Sequence, residues 1–234
     1  MKAVIIAGGL GTRLKPFTTI IPKPLLPIGE HSVLEIIIKR LKACGFDEIF
    51  IATNYKSEYF KNFLGDGSRY GVSLRISKED KPLGTCGPLT LLKEYLTEPF
   101  LVMNGDVLTT TDFSKIYDFA VNADSDFTVV TKEIITPFEF GNVMSDGDFV
   151  TNVEEKPDLK TQIVAGIYIV KPAIFDLIPE DEYFGMDHLI KRMLSDGKPV
   201  AKYLLKDYWL DIGRIEDYAT VENAYEDHFK DLED

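Results

Sequence analysis

The sequence predicts an α/β fold, with a doubly wound, mixed but mostly parallel sheet and a smaller second lobe. Three observations carry this. The chain opens on an apolar run, Ala3-Val4-Ile5-Ile6-Ala7, of the kind that forms a strand buried on both faces. Through the first half such runs alternate with helical patterns, which indicates crossover connections between parallel strands. Turns rich in glycine, Gly8–Arg13 and Asn104-Gly105-Asp106, follow two of the runs directly. Open sheets of this kind bind ligands at the carboxyl ends of their strands.

Taken in order, Ser32 (or His31) caps a helix whose Leu34, Ile37, Ile38 and Leu41 share one face, and Gly45 ends it. Glu48–Thr53 reads as the second strand, residues 56–64 as a short helix and Val72–Ile76 as an alternating third strand. A helix over residues 86–96 leads to Phe100–Met103, another run of buried type. The second half differs. Phe127–Thr131, Gly141–Met144, Phe149–Glu154 and Val164–Val170 read as short strands separated by turns such as Ser145-Asp146-Gly147-Asp148. They are expected to extend the sheet and to form a lid over the first half's pocket. Gly185–Leu194 and Ile215–Asp227 read as helices. No linker, low-complexity tract or repeat divides the chain, so one domain over 1–234 is expected, with halves 1–125 and 126–234.

The 234 residues can bury a sizeable core, and 45% hydrophobic with 27% charged residues is ordinary for a soluble globular protein. No run approaches the roughly 18 apolar residues of a membrane helix, and no secretory leader pattern opens the chain. Cys44 and Cys86 form no CxxC, so a reduced, cytoplasmic setting is expected. A pI near 4.8 argues against a nucleic-acid partner. His31, His188 and His228 have no metal-ligand spacing. A homo-oligomer is compatible with all of this.

Charge is unevenly placed. The chain carries a formal −12, yet no Asp or Glu precedes Glu30. Lys2, Arg13, Lys15 and Lys23 give the first 29 residues +4, leaving −16 for the rest. Gly8, Gly9 and Gly11 let backbone N–H groups approach a ligand with no Cβ in the way. Lys23 sits between Pro22 and Pro24, which stiffen its loop. A positive, glycine-lined mouth on an acidic protein suits a triphosphate. The loop is not a dinucleotide fingerprint, because Leu14 stands where the third glycine is needed, and it lacks the G-K-[ST] ending of a P-loop.

Taken whole, Gly8-Gly9-x-Gly11-Thr12-Arg13-Leu14 followed by Pro22-Lys23-Pro24-Leu25 closely resembles the N-terminal signature of the sugar-1-phosphate nucleotidyltransferases, the nucleotide-sugar pyrophosphorylases. The resemblance runs from Met1 to about Tyr218. It implies a Rossmann-like fold of the nucleotide-diphospho-sugar transferase type, with residues 1–125 holding the nucleotide and 126–234 the sugar. It also implies catalytic roles for Arg13 and Lys23, and nucleotide contacts from Gly8, Gly9, Gly11, Thr12, Glu79, Gly84 and Thr85.

Asp106, directly after a buried run, and Asp211, in Tyr208-Trp209-Leu210-Asp211-Ile212-Gly213, resemble the family's two metal-binding aspartates. A carboxylate held at a strand end suits a hard cation, and the implied cofactor is Mg²⁺. Glu154-Glu155-Lys156-Pro157 resembles the family's E-K-P element, in which Glu155 accepts from sugar hydroxyls and Lys156 contacts the sugar phosphate. Phe140-Gly141-Asn142-Val143 resembles its aromatic-Gly-x-Val stretch, whose Gly141 lets the sugar lie against backbone. Asn104 joins this sugar-phosphate set. The chain departs from the family at Val164, where many members have Asn; any contact there must come from backbone.

For the base, Pro82-Leu83-Gly84-Thr85-Cys86-Gly87-Pro88-Leu89 resembles mannose-1-phosphate guanylyltransferases. Guanine offers two adjacent donors, and Glu79 is the candidate bidentate acceptor. Gly65-Asp66-Gly67-Ser68-Arg69 resembles instead uridylyltransferases of the muramic-acid salvage type, and the Val164 position resembles thymidylyltransferases. The expected reaction is therefore NTP plus sugar 1-phosphate giving NDP-sugar and pyrophosphate, with GTP and a mannose- or heptose-type sugar favoured and uridylyl or thymidylyl transfer the alternative. No Ser or Cys pairs with a His, so nothing indicates a covalent route. A non-catalytic sensor of nucleotide sugars is the competing class; the presence of Arg13, Lys23, Asp106 and Asp211 argues against it.

Overall fold

The computed structural model describes residues 1–54, 56–213, 215–230 and 232. The first strand, β1 (Lys2–Ile6), has Ala3, Val4 and Ile5 fully buried. After it come a short helix α1 (Phe17–Ile20), a small hairpin of β2 (Pro27–Ile28) and β3 (His31–Ser32), and helix α2 (Val33–Ala43). Ser32 caps α2 in a reciprocal box: its hydroxyl accepts from the Glu35 N–H at 3.2 Å, while Glu35 accepts from the Ser32 N–H at 2.8 Å. The chain returns through β4 (Glu48–Thr53), α3 (Ser57–Leu64) and β5 (Ser73–Lys78). These are two crossover units, and β1–β4 and β4–β5 pair in parallel.

The third strand thus begins and ends slightly later than its sequence pattern indicated. The expected helix over residues 86–96 is a 3₁₀ segment at Gly87–Leu92 instead. Its start is set by Gly87 and Pro88, and the Thr90 hydroxyl donates back to the Gly87 carbonyl at 2.8 Å, favouring the tighter turn.

Then follow β6 (Phe100–Asn104), β7 (Val107–Thr109) and α4 (Phe113–Asn122). The second half supplies β8 (Phe127–Pro137), β9 (Asn142–Asp146), β10 (Phe149–Glu154), β11 (Asp158–Val170), α5 (Met186–Ser195), β12 (Ala201–Leu205), β13 (Trp209–Asp211) and α6 (Ile215–His228). The main sheet has seven strands in the order β12-β8-β11-β6-β1-β4-β5, with β11 antiparallel to both neighbours. Strands from both halves belong to it. β8 and β11 are longer than their apolar cores: their buried ends lie in the sheet, and their exposed ends run on as a two-stranded arm. β9 and β10 form a separate hairpin between them. The sequence pattern marked only the buried half of each long strand, because the polar half carries no hydrophobic signal.

Alternation along the buried strands sends side chains to two cores. Ala3, Ile5, Ile49, Ile51, Leu101 and Met103 pack with α2, α3, α4 and α6. Val4, Phe50, Phe100 and Val102 pack with Gly87–Leu92, Pro172–Leu177 and α5 on the other face. After β1 the chain goes first to β4 on one side and later to β6 on the other, so β1 marks the switch point of the sheet. Among the described residues no helix is long and apolar enough to cross a membrane.

Candidate active site

The loop after β1 is drawn tight by backbone. Ala7 N–H donates to the Ala52 carbonyl at 2.7 Å, and Gly11 then turns the chain into a 3₁₀ turn, Thr12–Leu14, whose Leu14 is fully buried. Gly11 has φ +59°, and a Cβ there would stand 2.7 Å from Thr18 Cγ2. Both facts require glycine. Gly9, by contrast, faces open space. Pro22 leads into the turn Lys23–Leu25, which buries the Lys23 side chain and directs its ammonium to Asp106 Oδ2.

Asp106 is held from two sides. Gly105 N–H donates to the Ile6 carbonyl at 2.9 Å, tying the Asn-Gly-Asp turn to the end of β1. β7 and β13 then pair antiparallel, with Asp211 opposite Val107, and Ile212 N–H donates to the Asp106 carbonyl at 3.0 Å. Residues over one hundred positions apart thereby present two carboxylates to one place. The Asp211 carboxyl keeps solvent contact, yet its pKa is raised: surrounding protein strips hydration, and the Asp106 charge adds to the rise. Lys23 and Arg13 oppose it, so both cations face the carboxylate pair. Asp106 Oδ1 is buried with no hydrogen-bond partner among the described residues.

Two adjoining cavities open here. The smaller, about 150 Å³, is lined by Lys23, Pro24, Asn104, Gly105 and Asp106 together with Gly9 and Thr85. The larger, about 420 Å³, is lined by Gly8, Gly9, Gly11, Thr12, Glu79, Gly84 and Thr85, with Asn54 and Tyr183 added. All seven residues assigned to the nucleotide from sequence therefore share one wall. Arg13 stands beside them at Gly213, where a Cβ would lie 3.6 Å from its guanidinium. A wider concavity, about 940 Å³ along α3 and β5, holds none of these residues.

The 82–87 segment is fixed by residues 182–186. The Phe184 carbonyl accepts from Cys86 and Gly87 N–H groups at 2.9 Å each, and Thr85 Oγ1 accepts from the Met186 N–H at 2.9 Å. Gly84 has φ +84° and would drive a Cβ to 2.7 Å from the Phe184 carbonyl. Glu79, 3 % exposed, has one oxygen spent within the protein: Oε2 accepts from Leu83 N–H at 2.6 Å. That leaves Oε1, turned toward Gly8, where the sequence suggested a bidentate acceptor. Burial pushes its pKa up, partly offset by the Leu83 bond.

The sugar-side residues are distributed differently. Asn104 lines the smaller cavity and lies against Gly166, whose Cβ would stand 2.8 Å from the Asn104 amide nitrogen. Gly166 has φ +70° and sits where the β8–β11 register slips. Trp209 Nε1 donates to the Ala165 carbonyl at 2.9 Å, joining this bulge to the strand bearing Asp211. Gly141, Glu155, Lys156 and Val164 lie on or beside the arm and line neither cavity. Glu155 does approach Gly141, with Oε2 3.3 Å from a Cβ position there. Sequence reasoning missed Asn54, Tyr183, Gly166 and Trp209. Asn54 had a findable signal, since it follows β4 as Asp106 follows β6 with its one-residue turn.

A glycine loop at a sheet switch point, faced by a buried lysine and two carboxylates, is an α/β arrangement whose chemistry suits phosphate groups. The model of the family described as nucleotidyl transferase matches residues 2–228, and the chain belongs to that family. A mannose-1-phosphate guanyltransferase of Candida albicans is 34% identical over 94% of this chain and 63% of its own length. Mannose-1-phosphate guanylyltransferase 1 of Arabidopsis thaliana is 32% identical over 98% of this chain and 66% of its own. The chain thus spans slightly less than two thirds of these relatives. The crystal structure of HddC from Yersinia pseudotuberculosis superposes with TM-score 0.76 at 29% identity, covering 96% of this chain and 99% of that one. A second HddC structure, complexed with GMP-PN, gives TM-score 0.74.

Proposed function

We propose that this chain transfers a guanylyl group from GTP to a sugar 1-phosphate of mannose or heptose type, giving a GDP-sugar and pyrophosphate. The observation that carries the reading is the meeting of Lys23, Asp106 and Asp211 at the β1–β6 switch point, beside a glycine-lined cavity. The names of the relatives and the GMP-PN complex of HddC support the guanylyl choice. In the reaction a sugar-phosphate oxygen attacks the α-phosphorus in line, the bond to the β-phosphate breaks, and pyrophosphate leaves. Such a step needs positioning and charge neutralisation rather than a protein nucleophile.

Arg13 and the backbone N–H groups of the Gly8–Thr12 loop would hold the departing phosphates. Lys23, the buried cation of the smaller cavity, would offset charge growing on the α-phosphoryl group. The carboxylate pair fits Mg²⁺: a shared hard cation would pair the orphaned Asp106 Oδ1 and relieve the repulsion that raises Asp211. When bound there, it would neutralise phosphate charge. Among the described residues no group of three or more His, Cys, Asp or Glu is placed to hold a metal ion, so remaining ligands would come from phosphate and water. Asn104 would meet the sugar phosphate, with Gly141, Glu155, Lys156 and Val164 contributing from the arm. Free Cys44 and Cys86 fit a reducing, cytoplasmic setting.

The test is a pyrophosphate-release screen of GTP, UTP, dTTP, CTP and ATP against a panel of sugar 1-phosphates. GTP should give the highest kcat/KM with mannose or heptose 1-phosphate. A higher value with UTP or dTTP would overturn the base assignment, and no release with any pair would overturn the activity.

A further inference from the structure

The floor of the two cavities follows the order of the sheet. Asp106 stands beyond β6, the glycines beyond β1, Asn54 beyond β4 and Glu79 beyond β5. Successive strand ends thus run from the carboxylate pair to the far end of the larger cavity. A nucleotide with its phosphates over β1 and β6 has its base over β4 and β5.

Two acceptors meet it there. Glu79 Oε1 and the Asn54 carboxamide both flank Gly8, 3.0 Å and 3.7 Å from a Cβ position at that residue. Glu79 Oε2 is already committed to Leu83 N–H. Asn54 Oδ1 is buried and has no hydrogen-bond partner among the described residues. A carbonyl oxygen left so in the interior is costly unless something meets it. Guanine presents two adjacent donors, N1–H and the exocyclic N2 amine, and Glu79 has one free oxygen for them.

We infer that Asn54 is a specificity-determining residue, its Oδ1 accepting from the guanine N2 amine while Glu79 Oε1 accepts from N1–H. This rests on the guanylyl reading above. Uracil and thymine offer a single ring N–H and leave Asn54 unpaired. Adenine has a ring acceptor where Glu79 needs a donor. Hypoxanthine is the discriminating probe, because it keeps N1–H and lacks only the N2 amine.

The experiment compares kcat/KM for GTP, ITP and UTP in the wild type, Asn54→Ala and Asn54→Asp, with one productive sugar 1-phosphate. The wild type should favour GTP over ITP by roughly tenfold, the scale of one lost hydrogen bond that strands a buried acceptor. Asn54→Ala should lower GTP efficiency by about that factor and leave ITP unchanged, so the ratio falls toward one. ITP turnover in the same sample reports whether the variant is folded. Asn54→Asp keeps an acceptor and should keep the ratio. Equal losses with both purines in Asn54→Ala would make Asn54 a loop support, and an unchanged ratio would remove it from base reading; either overturns the inference. A wild type that favours UTP over GTP would instead overturn the guanylyl reading itself, and this inference with it.

Discussion

Replacing Lys23 separates the charge balance of the site from its chemistry. Its ammonium pairs with Asp106, and the two side chains are 11 % and 25 % exposed. Removing one partner of a fully buried pair costs about 3–5 kcal/mol. Partial solvent access at Asp106 lets water recover some of that, so Lys23→Ala should cost roughly 1–3 kcal/mol. At this chain length each kcal/mol moves Tm by about 2–4 °C, giving a fall of roughly 2–12 °C. Asp106→Asn strands the Lys23 ammonium, but it leaves Asp211 near that ammonium and removes a charge that raises Asp211, so its Tm should fall less than that of Lys23→Ala. The double variant should recover most of the Tm lost by Lys23→Ala, because the stranded carboxylate is gone. Activity should follow none of this: each variant should lose more than about 100-fold in kcat, as expected when a charge-stabilising group is removed. The assays are thermal unfolding in a chelator and pyrophosphate release at saturating Mg²⁺ and GTP. A Lys23→Ala protein with wild-type Tm, beside an Asp106→Asn protein with a lowered one, would refute the charge-balance argument.

Two further perturbations test other parts of the site. Asp211→Asn should cut kcat/KM by more than about 100-fold, and near-normal turnover at saturating Mg²⁺ would remove Asp211 from the metal assignment. Its stability effect has a sign: a carboxyl raised from 3.8 holds its proton more tightly when folded, so its contribution is present below 3.8 and lost as pH rises through the raised value. In a Tm series without divalent cations the Asn variant should therefore gain on the wild type toward neutral pH, and a constant difference would contradict the shift. Gly11→Ala should destabilise by about 1–3 kcal/mol, from φ +59° and the 2.7 Å approach to Thr18. Gly9→Ala has open space and should leave Tm unchanged while raising KM for the nucleotide; equal Tm losses in the two would show that Gly9 is structural rather than ligand-facing.

Much of this protein is legible without coordinates because its signals are local. Apolar runs of β1, β4 and β6 need only their own composition to announce burial on two faces. The Ser32–Glu35 cap and the Gly45 stop lie within a few residues of the helix they bound. The Gly8–Arg13 segment supplies four of the seven residues expected at the nucleotide, all seven of which line one cavity, while Lys23 and Pro24 line the smaller one. Where the local signal was ambiguous, packing decided. The Phe184 carbonyl holds Cys86 and Gly87 at the start of the 3₁₀ segment, and β8 and β11 outrun their apolar stretches because they pair with each other.

What the chain alone determined, then, is which segments are strands and which loops can face phosphate. The tertiary structure decided which of those groups meet. Asp211 reaches Asp106 only because β13 pairs with β7, and Lys23 reaches it only through the turn after Pro22. Glu79 loses one oxygen to Leu83, four residues on, and that bond depends on a turn no periodicity encodes. Asn54 is orphaned by the placement of its neighbours. Spacing along a chain reports faces and turns, whereas a shared charge, a spent lone pair or an unpaired carbonyl exists only once distant strand ends are brought side by side.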